Sequence, residues 1–254
     1  MMTGDKPTIW SFGGGVQSAA IAVLVVSGRL PVPDRVVMAD TGREATETWE
    51  YLHDAINPYL AQVDRQVEIA PHSLATVDLY SGNGDVLIPA YTENGALRGF
   101  CSNEWKKRVV ERWMRSEGYG PKKPVRVWLG ISTNEADRMK DSGTAWVENH
   151  YPLIMDLRLD RQECIGQVEK AGLPTPPRSS CWMCPYRNNS EWERLQSRYP
   201  ADFQRAVELD EEIRERDSLK GLFVHKSRMP LASVNLQATN MPILDLCDSG
   251  YCWT

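Results

Sequence analysis

A glycine-rich turn near the amino terminus has the residue types needed to bind a phosphate group. Gly13, Gly14 and Gly15 follow a short apolar segment and precede a longer one. Because glycine has no side chain, its backbone bends freely and its N–H groups can approach an anion closely. Ser18 falls in the predicted first turn of the next helix, where unpaired N–H groups and the helix dipole favour phosphate. The pattern predicts a strand, a phosphate-sized loop and a helix, and a turn that only packs a helix on a sheet is the alternative.

Cysteine chemistry is the second candidate activity. The chain has six cysteines and no predicted secretory signal, so metal ligands or redox groups are favoured over a disulfide framework. Cys181 and Cys184 form a CxxC motif just ahead of Pro185, and the nearby prolines suit a rigid metal-ligand loop. The remaining cysteines are scattered along the chain: Cys101, Cys164, Cys247 and Cys252.

Charged side chains in two further segments are candidates for contacts with an anion. Lys106, Lys107 and Arg108 lie on a predicted helix, where a solvated basic face is the alternative. Glu135 and Arg138 are three residues apart and share one face of a helical turn. They follow a predicted strand at 125–131, so they are either an exposed ion pair or part of a ligand site.

The elements that must position these residues alternate between strands and helices. A strand at 36–39 ends on Asp40, Thr41 and Gly42, a helix begins at Thr46 or Thr48, and 67–69 forms a third strand. This order predicts right-handed crossovers and an α/β fold with a doubly wound, mostly parallel sheet. Polar residues at the carboxyl ends of such strands line ligand sites.

Composition narrows the classes of function. The 254 residues are 42% hydrophobic and 25% charged, which is ordinary globular composition. The net charge of −5 argues against a surface devoted to nonspecific nucleic-acid binding. The longest apolar run, 19–26, is too short to span a bilayer, so we expect a cytoplasmic protein without a membrane partner. Residues 1–190 are predicted to form the nucleotide-binding domain with the cysteine segments. A smaller helical region with a cysteine-containing tail is expected at 191–254, where His225 and Lys226 are interpreted as surface groups.

Four segments together resemble the PP-loop nucleotide enzymes, in the branch of phosphoadenosine phosphosulfate reductases and ATP pyrophosphatases. The resemblance covers 9–192. The sequence GGGVQS at 13–18 is similar to the family's SGGxDS loop, and ADTGREATET at 39–48 is similar to its DTG-x-E segment. LGISTNEADRMK at 129–140 resembles the strand end that supplies an acidic residue and an arginine. FCSNEWKKR and SSCWMCPYR look like the cysteine segments of iron-sulfur members.

The resemblance implies a Rossmann-like PP-loop fold and a defined set of site residues. Nucleotide contacts are implied for Ser11, Gly13, Gly14, Gly15, Gln17, Ser18, Asp40, Thr41, Gly42, Glu44 and Glu135. Catalytic roles are implied for Ser18, Lys106, Arg138 and, in one mechanism, Cys252. The loop departs from the family at Gly13, where serine is usual, and at Gln17, where aspartate is usual. Gln17 cannot contribute a negative charge to Mg²⁺.

The cysteines fit the same resemblance. The CxxC pair with Cys101 supplies three thiolates to a 4Fe–4S cluster, and the fourth iron is either bound by Cys164 or left open. A structural zinc with four cysteines is the competing metal site. A plain pair of buried thiols is the third interpretation.

Three functions remain open on this scaffold. In an ATP pyrophosphatase, AMP is transferred to an acceptor oxygen with Mg²⁺ on the pyrophosphate, and sulfur then replaces that oxygen. Such a protein would reach a nucleic-acid acceptor through a partner protein and take sulfur from a donor such as a cysteine desulfurase. In a sulfonucleotide reductase, Cys252 attacks an adenylyl sulfate, Cys247 resolves the bond, and a thioredoxin-like donor is implied. The third is a noncatalytic nucleotide-binding subunit, and a homo-oligomer is compatible with all three.

Overall fold

A computed structural model describes residues 6–216 and 221–237, and its centre is a five-stranded parallel sheet. The strands are β1 (Thr8–Ser11), β2 (Arg35–Ala39), β3 (Val67–Ala70), β4 (Ala90–Thr92), β5 (Gly95–Leu97), β6 (Val125–Leu129) and β7 (Val147–His150). Their order in the parallel sheet is β3-β2-β1-β6-β7, and β4 pairs with β5 in a separate antiparallel hairpin. The doubly wound α/β fold predicted from the sequence is therefore confirmed.

Helices cover both faces of the sheet. They are α1 (Val16–Val26), α2 (Thr46–Tyr51), α3 (Asn57–Leu60), α4 (Arg108–Ser116), α5 (Pro152–Met155), α6 (Arg161–Lys170), α7 (Asn189–Arg198) and α8 (Pro200–Arg216). Two π-helical turns, Leu52–Ile56 and Ser102–Lys107, connect α2 with α3 and lead into α4. Within the described ranges, no helix combines the length and the apolar character needed to cross a membrane.

Successive side chains of each strand point to opposite faces of the sheet, so one short strand contributes to an apolar cluster on each face. On one face, Trp10, Val36 and Trp128 pack with α1 and α6. On the other face, Ile9 and Val127 pack against α4. Because strands covered on both faces are apolar at almost every position, β1 and β2 lack the polar alternation of a half-exposed strand.

A third apolar cluster lies beside the sheet and includes the C-terminal helices. Trp192 and Phe203, on α7 and α8, pack in it together with Trp105, Trp182 and Ile88. The cluster therefore combines residues from both sides of the predicted domain boundary between residues 190 and 191. That domain boundary stays a prediction. The segment 81–99 contains the β4–β5 hairpin, which forms backbone hydrogen bonds to Phe223 through Tyr91.

Candidate functional site

A cleft of about 230 Å³ lies at the carboxyl ends of β1 and β6. These two strands are neighbours in the sheet. After β1 the chain adds β2 and β3 on one side of β1, and it later adds β6 and β7 on the other side of β1. The connecting loops diverge at such a switch point, which leaves a crevice that open parallel sheets use for ligands. The glycine-rich loop forms one wall of this cleft, and the segment after β6 forms another.

The glycine loop is shaped by contacts that need small residues. Gly14 has a φ of +79°, and a Cβ atom added there would lie 2.8 Å from the hydroxyl oxygen of Ser179. The N–H of Gly13 donates to the Ser18 hydroxyl at 2.9 Å, which closes the turn. Gly15 is the N-cap of α1 and offers no capping side chain, which leaves the first N–H groups of this helix uncapped. Val16, Gln17 and Ser18 of the first turn line the cleft. The predicted strand, loop and helix arrangement is thus confirmed.

A network of four side chains joins the glycine loop to the segment after β6. The amide nitrogen of Gln17 donates to Glu135 at 3.0 Å, and Arg138 donates to the other oxygen of the same carboxylate at 3.0 Å. Arg161 donates to the Gln17 amide oxygen at 3.3 Å. Gln17 therefore bridges the carboxylate of Glu135 and the guanidinium group of Arg161. An aspartate in its place would bring a second negative charge beside Glu135.

Glu135 is held in a buried environment with two cations nearby. Only 5% of the Glu135 surface is exposed to solvent. Burial raises the pKa of this carboxyl above its usual range, and the positive charges of Arg138 and Arg161 oppose that shift. The predicted pairing of Glu135 with Arg138 on one turn is confirmed, and the pair is buried rather than exposed.

The segment just before the CxxC motif forms the opposite wall of the cleft. The hydroxyls of Ser179 and Ser180 are buried, and neither has a hydrogen-bond partner among the described residues. Arg178 also lines the cleft and pairs with Glu191 at 2.9 Å. Buried hydroxyls normally find partners, so these two are available to a ligand in the cleft.

The cleft as a whole favours an anion. Among its described lining residues, four are cationic, namely Lys106, Arg138, Arg161 and Arg178. The lining also contains two carboxylates, those of Glu135 and Glu191. Combined with the N–H groups of the α1 terminus, this excess of positive charge can hold phosphate groups.

Lys106 connects the cleft to the CxxC segment. Its Nζ lies 3.4 Å from the carboxylate of Glu44, whose side chain is fully buried. The Thr41 hydroxyl donates to the same carboxylate oxygen at 3.2 Å and lies 3.4 Å from the sulfur of Cys181. Backbone hydrogen bonds between 43–45 and 180–182 fasten the two segments together.

The predicted nucleotide-contact residues fall into two groups in the structure. Ser11, Gly13, Gly15, Gln17, Ser18 and Glu135 line the cleft. Asp40, Thr41, Gly42, Glu44 and Gly14 are not among its lining residues. The Asp40 carboxylate accepts from the Gly42 N–H at 2.7 Å, so it shapes the turn after β2.

The three basic residues around the start of α4 also differ in whether they line the cleft. Lys106 lines the cleft, whereas Lys107 donates to the carbonyl of Ser142 at 2.8 Å and Arg108 pairs with Glu104. Of the three predicted anion contacts in this segment, the structure therefore places Lys106 at the cleft.

The cysteines named as metal ligands do not form one group. Cys101 and Cys181 pack against the cluster of the C-terminal helices, and Cys184 lines the cleft. Cys164 lies in the core between α1 and α6, where burial raises the pKa of its thiol to about 12. No group of three or more histidine, cysteine or acidic side chains in the described ranges is arranged to hold a metal ion. The iron-sulfur or zinc site therefore stays a prediction, and Cys247 and Cys252 lie outside the described residues.

Sequence reasoning missed several residues that line the cleft. Arg161 is the first residue of α6, and a capping box between Asp160 and Glu163 fixes the start of that helix. The D-x-x-E spacing was a readable signal for this helix start. Arg178 precedes the cysteine segment and was not singled out, and Ser179 and Ser180 were assigned to that segment alone.

Comparisons with known proteins find similarity to solved structures but no sequence relative. No family model matches the sequence, and no curated protein matches it. The chain is similar to the crystal structure of a phosphoadenylyl-sulfate (PAPS) reductase from Candida auris in a phosphate complex, with a TM-score of 0.48 and 13% sequence identity. The match covers 69% of this chain and 81% of that chain.

Proposed function

We propose that this protein is a PP-loop ATP pyrophosphatase that adenylylates an acceptor oxygen so that sulfur can replace it. The observation that carries the proposal is the meeting of the glycine loop with Lys106, Arg138 and Arg161 in one cleft. The sequence resemblance to PP-loop enzymes supports the same assignment. A nucleic-acid acceptor reached through a partner protein and a cysteine desulfurase as sulfur source belong to this proposal.

The chemistry assigned to the cleft is a displacement at the α-phosphorus of ATP. The acceptor oxygen forms a bond to this phosphorus while the bond to the β-phosphate oxygen breaks, and pyrophosphate leaves with the electron pair. A sulfur nucleophile from the donor then bonds to the activated acceptor atom, and AMP leaves with the oxygen. Most of the catalysis is positioning and charge stabilisation, as in other phosphoryl transfers.

The residues of the cleft have separate parts in this proposal. The N–H groups of 14–18 hold phosphate oxygens, and the cations balance the charge of the leaving pyrophosphate. Glu135 keeps Gln17 and Arg138 in place through its two carboxylate oxygens. The unpartnered hydroxyls of Ser179 and Ser180 donate to phosphate oxygens from the opposite wall.

The test is pyrophosphate release from ATP in the presence of Mg²⁺, measured for the wild type and two matched variants. Arg161→Gln removes a cleft cation that donates to Gln17, and Arg29→Gln removes an arginine on the surface that donates to Gln167 at 3.1 Å. We expect release to fall at least about tenfold in R161Q, because charge-assisted hydrogen bonds contribute about 1.5–3 kcal/mol. R29Q should retain the wild-type rate.

The same preparation separates the two alternatives. Release of sulfite from adenylyl sulfate that depends on Cys252, without any pyrophosphate release from ATP, would replace this proposal by the reductase. Binding of ATP without turnover of either nucleotide would replace it by the noncatalytic subunit.

A further inference from the structure

The positive charge of Arg161 is not paired with a carboxylate in the ranges that the structure describes. This half-buried residue lines the cleft at the first position of α6. Its backbone N–H donates to the side-chain oxygen of Asn134 at 2.8 Å, and its guanidinium group donates to the amide oxygen of Gln17 at 3.3 Å. Both partners are neutral, so the arginine is fixed in place while its charge stays available to a ligand in the cleft.

Each oxygen of the two carboxylates in the cleft already accepts a hydrogen bond. Glu135 accepts from Gln17 on one oxygen and from Arg138 on the other. Glu191 accepts from Arg178 on both oxygens, at 3.1 and 2.9 Å. Proteins usually hold Mg²⁺ through one or two carboxylates together with phosphate oxygens of the substrate. Here a magnesium ion on either carboxylate would compete with an arginine that is already bound there.

The neutral amide of Gln17 lies where a charged side chain would change the charge balance of the cleft. Its nitrogen is 3.0 Å from an oxygen of Glu135. A glutamate of the same shape would place two carboxylates side by side, an arrangement that either raises a pKa or binds a cation. It would also form an ion pair with Arg161. With glutamine at this position, the described lining keeps four cationic and two acidic side chains.

We propose that the cleft binds the phosphate groups of its ligand as a metal-free anion. Arg161 supplies the positive charge that a divalent cation would otherwise bring, and Gln17 is the positioning residue that holds this arginine without neutralising it. Because Mg²⁺ in solution binds free pyrophosphate, it should compete with the cleft for this anion rather than strengthen its binding. The inference rests on the proposed function in its choice of ligand, since pyrophosphate is the leaving group there.

The experiment is calorimetric titration of the full-length chain with pyrophosphate, once in EDTA and once with excess Mg²⁺. We expect the wild type to bind in EDTA at least as tightly as with Mg²⁺. Gln17→Glu should weaken binding in EDTA at least about tenfold, because its carboxylate neutralises Arg161, and added Mg²⁺ should restore part of the loss. Gln167 accepts from Arg29 at 3.1 Å on the surface, so Q167E changes a similar glutamine–arginine pair outside the cleft. This control should bind as the wild type does in both buffers.

The comparison of the two buffers needs no variant, so it decides the matter even if Q17E does not fold. Tighter binding with Mg²⁺ than in EDTA, or no binding in EDTA, would overturn the proposal for the wild type. Folded Q17E that binds pyrophosphate in EDTA as tightly as the wild type would overturn the role of Gln17. Pyrophosphate release from ATP, measured on the same samples, separates the two claims. Metal-free binding without release refutes the proposed function alone, and release with Mg²⁺-dependent binding refutes this inference alone.

Discussion

Acidification should destabilise the fold through His225, a residue that the sequence placed on the surface. The structure shows this expectation to be wrong, because His225 is 2% exposed. Its Nδ1 lies 2.8 Å from the Ser227 hydroxyl, and its Nε2 lies 3.3 Å from the side-chain oxygen of Asn189. The imidazole is therefore enclosed between α7 and the segment after α8.

The size of the effect follows from the pKa of this imidazole. Burial, with a smaller contribution from Lys226, lowers the pKa of His225 from 6.5 to about 4. Between these values the unfolded chain binds more protons than the folded chain, so the free energy of unfolding falls as the pH falls. Each unit of pKa difference corresponds to about 1.4 kcal/mol, which gives a loss of about 3 kcal/mol between about pH 7 and pH 4.

Urea unfolding across this pH range measures the effect. His225→Gln removes the titrating group, so the difference in unfolding free energy between wild type and H225Q should shrink by about 3 kcal/mol as the pH falls. Other titrating groups cancel in this difference. H53Q, which removes an exposed histidine and leaves His225 in place, is the control for the loss of a histidine. A pH-independent difference between wild type and H225Q would refute the reasoning.

Three further predictions concern the cleft and the helix beside it. Gly14→Ala should cost about 1–2 kcal/mol of stability, because a side chain at positive φ is strained, and should also weaken pyrophosphate binding in calorimetric titration. Gly28→Ala, also at positive φ but with open space around the added Cβ, should lose only stability, and an equal loss of binding would contradict the crowding argument. Arg138→Gln should weaken pyrophosphate binding about tenfold by the same titration, while Arg126→Gln on β6 should bind as the wild type does. Asp160→Ala should lower the urea midpoint by removing an N-cap that contributes about 1 kcal/mol, and an unchanged midpoint would show that the cap is not stabilising.

Much of the fold was predictable because buried parallel strands have a simple sequence pattern. The apolar runs of β1, β2 and β6 and the turn residues after them identified the sheet and its ligand edge. The edge strand β7 was missed, since its residues Val147–His150 are mostly polar and only partly buried. The β4–β5 hairpin was missed because its two strands have only three residues each, and all three residues of β5 are exposed.

The site was predictable where one segment carries it and not where distant segments meet. The glycine loop and the Glu135–Arg138 pair are local patterns. The bridge from Gln17 to Arg161 joins residues that are 144 positions apart, and no spacing rule indicates it. Likewise, the sequence spacing of the cysteines could not show that Cys164 packs between α1 and α6, away from the cluster that contains Cys181.

The iron-sulfur cluster stays a prediction, and iron and sulfide analysis after anaerobic purification measures it directly. Because Cys164 is buried in the sheet core, Cys164→Ala should retain any iron that the wild type contains. Cys181→Ser should lose that iron. Loss of iron in C164A with retention in C181S would contradict the placement of these side chains.

Identification of the adenine nucleotide formed from ATP labelled at the α-phosphate is the most direct test of cleavage at the α-phosphorus. The protein is incubated anaerobically with Mg²⁺, and the labelled nucleotides are separated by chromatography. We predict labelled AMP, or AMP attached to an acceptor, with an equal amount of pyrophosphate and a reduced yield in R161Q. Labelled ADP with inorganic phosphate would contradict this prediction, because cleavage would then lie between the β- and γ-phosphates rather than at the α-phosphorus.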